Sequence, residues 1–272
     1  MIFKAKSASY PYIIWLVIFI AVPLFLVAFF AFTDSENNFT VANIIRVVDF
    51  APVFIRSILL GVYATVICLV IAYPLAFFIS RMNARNQRLF VMLIMLPMWV
   101  NFLLRTYAWM TILETNGILN SFLGKFGIGP FQMINTQGAI VLGMIYNYLP
   151  FMILPLYTVL LKIDSSLIEA AQDLGGGTLK VFIKVVIPLS MPGITSGITM
   201  VFVPSVSTFI ISRMLGGGGN ILIGDLIDQQ FLGNAYNPNL GSAIALVLML
   251  FILLSMALLN QFDDDETGDR LL

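Results

Sequence analysis

Histidine is absent from this chain of 272 residues, and cysteine occurs once, as Cys68 inside an apolar run. Without imidazole there is no Ser-His or Cys-His catalysis, and without a second thiol there is no disulfide framework; zinc sites go with both. Charge is scarce as well. Asp, Glu, Lys and Arg make up 10% of the residues, 14 of each sign, so no cationic surplus exists to neutralise nucleic-acid phosphates. What fills the chain instead is apolar: 60% of residues, with a mean hydropathy of +0.97, where soluble domains are roughly half apolar and a quarter charged. A water-soluble globular fold is excluded, and the chain reads as a membrane protein without catalytic equipment.

Crossing a hydrocarbon core about 30 Å thick takes about 20 residues at 1.5 Å each. Six stretches qualify: Tyr12 to Phe32, Ser57 to Ile79, Leu89 to Leu113, Gly138 to Leu161, Ile194 to Ser212 and Ser242 to Asn260. The expected fold class is therefore an all-α membrane protein with six transmembrane helices, forming one domain over residues 1–272. The first stretch follows Lys4 and Lys6 but is too long for a signal peptide and lacks a small-x-small cleavage site, so it is expected to be retained. With an even number of spans both termini share a side. Taking that side as cytoplasmic places Lys4, Lys6, Arg81, Arg85, Arg88, Lys162, Lys180, Lys184 and Arg270 inside. Only Arg46, Arg56, Lys125 and Arg213 fall outside, with Arg105 within a span, and this bias favours cytoplasmic termini. The acidic tail Asp263, Asp264, Asp265 and Glu266 counts little in that rule and reads as solvated.

Pro23, Pro74, Pro97, Pro150, Pro155 and Pro204 interrupt the spans, and each removes a backbone donor, so bent helices enclosing a path are expected. An energy source is harder to find. The glycine runs Gly175 to Gly177 and Gly216 to Gly219 lack the following Lys-Ser or Lys-Thr of a phosphate loop, and Gly124-Lys125 is followed by Phe126. ATP hydrolysis by this chain is not expected. Nor does any Asp, Glu, Lys or His lie deep in a span, where proton or sodium coupling would need it. A partner should supply the energy.

The connection from Lys162 to residue 193 is the longest on the cytoplasmic side. Ser166 followed by Glu169 has the spacing of a capping box, which predicts a short helix from about Leu167 to Leu174. Leu167, Ala170, Ala171 and Leu174 share one face, and Gly175 supplies a left-handed residue to end the turn. A second helix is expected to start near Thr178 and stop at Pro188 and Pro192. Spacing alone leaves two readings open for this loop: docking into another protein, or lying on the membrane surface.

This loop resembles the cytoplasmic signature of the permease subunits of binding-protein-dependent ABC importers: E-A-A, three residues, G, nine residues, I-x-L-P. The chain has Glu169-Ala170-Ala171, Gly175 and Val185-Val186-Ile187-Pro188, with Val185 for Ile and Ile187 for Leu. The resemblance implies the MetI-like fold of type I importers and a place in the bacterial inner (cytoplasmic) membrane. It also implies that Glu169, Ala170, Ala171, Gly175 and Pro188 belong to the coupling loop, whose first helix inserts into an ATPase subunit. Implied partners are a second homologous permease, two ATPase subunits carrying ATP and Mg, and a periplasmic or extracellular solute-binding protein. No cofactor or metal is expected on this chain, and lipid is its surrounding medium. The segments LPMWVNFLLRTYAWMTIL, from Leu96, and LGGGGNILIGDLIDQQFL, from Leu215, are similar to those of spermidine/putrescine importer permeases, which makes a polyamine the expected substrate.

For such a cation, aromatic faces offer partners of roughly 0.5 to 2 kcal/mol each without trapping it, and Tyr107, Tyr146, Tyr148 and Phe209 are candidates, with Asn147 beside them. Ser205, Ser207, Thr208 and Trp109 read better as helix-bonding or interfacial residues. Arg105 is assigned to structure or docking, with pairing to Glu114 or snorkelling as its account, since a cationic substrate gains nothing from it. Glu114, Asp225 and Asp228 are expected at the outer mouth, either attracting a cation or meeting the binding protein, against the plainer reading of a solvated face. Two other function classes remain distinguishable: a self-sufficient carrier or channel would transport without ATP, and a scaffold would leave uptake unchanged when lost. Within the importer class the alternatives are another organic cation, thiamine or a metal complex.

Overall fold

In hydrocarbon a backbone has only itself to hydrogen-bond with, and long apolar runs therefore close into helices. The structure, a computed structural model, describes residues 11–233 and 235–268, without the side chains of 260 and 262–268, and among these every regular element is helical. Lys4, Lys6, Arg270 and the side chains of Asp263, Asp264, Asp265 and Glu266, used above in the orientation reading, lie outside the described residues. In chain order the helices are α1 (Pro11–Ala31), α2 (Ala51–Ser80), α3 (Ala84–Met95), α4 (Phe102–Leu113), α5 (Ile118–Gly124) and α6 (Gln137–Leu160). There follow α7 (Ser165–Asp173), α8 (Thr178–Leu189), α9 (Met191–Ser207), α10 (Ile210–Leu215), α11 (Ile223–Leu232) and α12 (Pro238–Gly268).

Four helices are long and apolar enough to cross a membrane: α1, α2 with its lead-in from Ala42, α6, and the Pro238–Leu259 part of α12. Two further spans exist only as bent pairs, Ala84–Trp99 with Phe102–Gly124 at 87° and Thr178–Leu189 with Met191–Ser207 at 66°, which brings the total to six. The expectation of an unbroken helix from Leu89 to Leu113 is therefore corrected. Pro97 tightens the end of α3 into a 3-10 turn, Val100 goes extended, and the Asn101 side chain accepts from the Leu103 amide at 2.8 Å to start α4 anew. The fifth span likewise ends at Ser207 rather than Ser212, with α10 as a separate piece.

Proline position proves a poor guide to sharp bends. Pro74, Pro150, Pro155 and Pro204 stay inside α2, α6 and α9, and among the six only Pro97 stands at one of the two large breaks. The other break falls at Ser190. α8 stops at Leu189, one residue past Pro188, and Pro192 stands in the first turn of α9, so the second loop helix ends where expected, with a π turn over Phe182–Val186 just ahead of Pro188. Buried Ser190 is fixed by the Tyr73 hydroxyl 2.7 Å away, and Phe182 stands edge-on to Tyr73 and Phe77, each at 5.5 Å.

The described chain clusters into two compact units. One holds the chain up to Pro52 together with Leu226–Leu254. Within it the Asn239 side chain donates to the Thr33 carbonyl at 2.7 Å and Asn43 donates to the same oxygen at 2.8 Å, closing the loop after α1. The other unit holds Val53–Asp225 and the chain from Ser255 onward. Its core is the seam between α6 and α9, where glycine lets the backbones approach: a Cβ on Gly193 would stand 3.1 Å from the Pro155 carbonyl, and one on Gly197 would stand 2.6 Å from Met152 Sδ. Ile140, Met144, Met152, Leu156, Ile211 and Leu215 are wholly buried there.

Candidate functional site

The loop after α6 builds its helix from a different cap than its spacing suggests. Asp164 takes extended backbone (φ −64°, ψ 131°), and its carboxylate accepts the Ser166 amide at 3.0 Å. Asp164, not Ser166, is thus the N-cap, and no capping box forms between Ser166 and Glu169. The chain leaves α6 early enough that Ser166 already sits at the second helical position, where its own amide is the orphan to be satisfied. The same hydrogen bond holds the Asp164 carboxyl below its ordinary value of 3.8.

At the far end Gly175 is left-handed, at φ +82°, as expected. Its amide donates to Gln172 at 2.9 Å and the Gly176 amide donates to Ala171 at 3.1 Å, the paired bonds of a Schellman motif. Gly176 carries a separate requirement that the spacing reading missed: a Cβ there would stand 2.5 Å from the Ala171 carbonyl and 2.9 Å from Val181 Cγ2. The visible signal was the run of three glycines, where a helix stop needs one. Glu169 and Ala170 are exposed, Ala171 is half-buried, and Leu167 and Leu174 are 49% and 90% exposed. A cleft of about 210 Å³ opens beside the turn, with Leu174, Lys180 and Lys184 among its lining. Pro188 lies half-buried in α8, past the π turn.

The candidate path residues do not form one cluster. Tyr148 is buried and donates to the Pro204 carbonyl at 3.4 Å, tying α6 to the late part of α9. Asn147 is buried beside it, its amide bonded to Gly143 of its own helix at 2.9 Å and its Oδ1 without a partner among the described residues. Tyr146 is half-buried and stands edge-on to Trp109, 5.4 Å away. Tyr107 is exposed on α4, and Phe209 is 38% exposed in the break between α9 and α10. Ser205 and Ser207 bond carbonyls of their own helix at 2.7 and 3.0 Å, which is their structural reading.

Two charge expectations are corrected. Arg105 makes no ion pair with Glu114, which ends α4 nine residues later, about 13 Å along the axis. Its guanidinium lies 5.9 Å from the Phe102 ring, with Nε and Nη1 buried and unpartnered among the described residues. Asp225 is not part of a solvated face. It is 3% exposed, accepts from Ser212 Oγ and from the Leu222 amide at 3.1 Å, and pairs with Arg213 Nε at 3.7 Å. The turn through Gly216 to Asn220 folds the chain back so that the start of α11 meets α10, a closure invisible in a linear reading. Glu114 is exposed and Asp228 half-buried.

The described residues are thus helical throughout their regular elements, with two bent helix pairs and an exposed, glycine-closed helix between α6 and α8. Residues 69–265 match the family of binding-protein-dependent transport system inner membrane components, and the chain belongs to it. Over 253 residues it is 38% identical to the spermidine/putrescine transport system permease protein PotB of Haemophilus influenzae, covering 88% of each chain. Against PotB of Escherichia coli it is 36% identical, covering 87% of this chain and 89% of that one. Its fold is that of a bacterial ABC transporter crystallised for its part in importing the acidic polysaccharide alginate, with a TM-score of 0.74 at 16% identity over 97% of this chain and 96% of the other.

Proposed function

We propose that this chain is the permease subunit of an ATP-driven importer for spermidine and putrescine, working by alternating access. The observation that carries the mechanism is the exposed helix α7, closed by Gly175 and Gly176, with Leu174 90% exposed beside a cleft. Leu167, Leu174 and Leu179 together leave an apolar face uncovered around this turn, which suits docking of another protein. In this reading the covering protein is one of two ATPase subunits, which hold ATP and Mg, and Glu169, Ala170, Ala171, Gly175 and Pro188 form or brace the contact. Closure of the ATPases moves α7, and the π turn and Ser190 bend pass that movement to α9. A second homologous permease completes the path, and a periplasmic or extracellular binding protein delivers the substrate. ATP hydrolysis lies wholly with the partners. The relatives named above support the polyamine assignment, and the interior of the described spans holds no unpaired carboxylate that would trap a polycation.

Both termini are assigned to the cytoplasm, which sets α7 and the Arg81, Arg85, Arg88 cluster on the ATPase side and Glu114 on the outer side. Tyr107, Tyr146, Asn147, Tyr148 and Phe209 are retained as path candidates, and Asp228 as an outer-mouth candidate. The deciding experiment is uptake of labelled spermidine and putrescine in cells lacking this chain, with and without its restoration at equal partner expression. Restored, energy-dependent uptake is the expected result. Unchanged uptake of both, with the protein in the membrane, overturns the substrate and leads to other organic cations, thiamine or metal complexes.

A further inference from the structure

The break between α9 and α10 gathers chemistry that the import cycle above does not use. α9 ends at Ser207, and Thr208 turns extended (φ −63°, ψ 143°) before α10 begins at Ile210. A helix C-terminus presents carbonyls without intrahelical partners and the negative end of the macrodipole. The first turn of α11 lies so close to this end that a Cβ on Gly224 would stand 2.5 Å from both the Ser207 and the Thr208 carbonyl oxygens. The next residue is Asp225, whose carboxylate is held in place by Ser212 Oγ and the Leu222 amide, while Ser57 Oγ accepts the Ile223 amide at 2.9 Å. One cation sits among these groups. The Arg213 guanidinium lies 5.8 Å from the Phe209 ring centroid, and its Nε is 3.7 Å from Asp225 Oδ1.

We propose that Phe209 and Asp225 form an organic-cation site in which the Arg213 guanidinium is a tethered occupant, and that a substrate ammonium group exchanges with it during passage. The inference rests on the polyamine reading above. An aromatic face and a carboxylate are the two side-chain groups that hold an alkylammonium, the first through its quadrupole and the second through a charged hydrogen bond. A carboxylate only 4% exposed favours a counter-charge, which Arg213 supplies when the site is empty of substrate and an ammonium group can supply in its place. Arg213 is suited to yielding. Its side chain is 51% exposed and forms the solvent side of the pair, with Nε 3.7 Å from the carboxylate. When it swings out, Asp225 keeps its bonds to Ser212 and Leu222 and stays in place. When it returns, it displaces the ammonium, so the site passes a polycation onward instead of trapping it. A tethered competitor lowers apparent affinity by the fraction of time the site is closed.

The test is equilibrium binding of labelled spermidine to the assembled transporter in nanodiscs, with uptake by the same complex in proteoliposomes supplied with binding protein. Arg213→Gln removes the tethered competitor, and binding tightens about 3- to 5-fold, the factor by which a competitor that closes the site most of the time lowers apparent affinity. Arg213→Lys keeps a resident cation and stays near the unsubstituted protein. Phe209→Leu weakens binding several-fold, and Asp225→Asn abolishes it. An ion pair that merely braces α10 against α11 gives the opposite pattern, with Arg213→Gln and Asp225→Asn losing stability and binding together. Equal or weaker binding by Arg213→Gln in a folded complex overturns the exchange, and this holds even if Asp225→Asn fails to fold, because Arg213 is half exposed and Phe209→Leu supplies the second arm. A complex that takes up spermidine without that tightening removes the exchange alone. One that transports another solute but neither binds nor takes up spermidine removes the polyamine reading and the exchange with it.

Discussion

Adjacent glycines in the cytoplasmic loop are required for different reasons, and substitution separates them. Gly175 has φ +82° with open space around it, so only the left-handed backbone excludes side chains. Asn tolerates that conformation, and Gly175→Asn is expected to retain ATPase co-purification, whereas Gly175→Val costs roughly 1–2 kcal/mol and loosens the turn. Gly176 has no positive φ but faces the Ala171 carbonyl at 2.5 Å, so Gly176→Ala displaces backbone and is expected to reduce co-purification more than Gly175→Asn does. Thermal melting of the purified chain tells a folding defect from a docking defect. At the other end of α7 the Asp164 cap makes a pH prediction. Its folded-state value is lowered from 3.8, so the stability it contributes is fully present above 3.8 and is lost as pH falls through the lower folded value. Amide-exchange protection in the first turn of α7 is expected to hold from neutrality down to that point and decline below it. Asp164→Asn keeps the acceptor and should abolish the pH dependence.

Among elements, one broken span restarts on a single polar cap, and the α6 and α9 seam packs through missing Cβ atoms. Asn101 starts α4 after the 87° bend by accepting the Leu103 amide. Asn101→Ala is expected to cost about 1 kcal/mol and Asn101→Ser far less, measured as melting temperature in detergent. The α6 and α9 seam offers a finer test. Gly197 faces the flexible end of Met152, while Gly193 faces the Pro155 carbonyl and the Leu156 backbone at 3.1 and 3.2 Å. Gly197→Ala should be accommodated by rotation of Met152, but Gly193→Val forces the two backbones apart and is expected to destabilise by about 1–3 kcal/mol. The opposite order in a melting series would show that the seam adjusts as a whole.

For the whole molecule, the proposed function makes dependence on partners the property to test. Among the described residues the buried carboxylate is Asp225, and it is held by Ser212, Leu222 and Arg213. The chain reconstituted alone in liposomes is therefore expected to show no spermidine uptake above the lipid background. The chain with both ATPases, a second permease and the binding protein should transport only when ATP is supplied. Uptake by the isolated chain would return the self-sufficient carrier to first place. The fold does not choose the substrate: a chain at a TM-score of 0.74 belongs to a transporter importing an acidic polysaccharide.

Hydrophobic run length and the E-A-A to Gly175 spacing were enough to read the apolar runs of up to six spans, a short helix near residues 167–174 that the structure sets at 165–173, its left-handed stop and the family. These are local properties: a helix in hydrocarbon follows from backbone satisfaction, and a glycine stop from the absence of a Cβ. Where the helices break was decided elsewhere. Four of the interrupting prolines, Pro74, Pro150, Pro155 and Pro204, stay within long helices, while the 66° turn at Ser190 falls between Pro188 and Pro192, and there the Tyr73 hydroxyl, 117 residues away, bonds the Ser190 hydroxyl. Asp225 read as a surface acid because a sequence shows its neighbours along the chain and not the Ser212 and Arg213 that α10 brings to it. The apolar runs, the short helix after them and its glycine stop were thus determined by the chain itself. Burial, charge pairing and the sites of bending were decided only by tertiary structure, because each depends on partners whose approach a linear spacing does not encode.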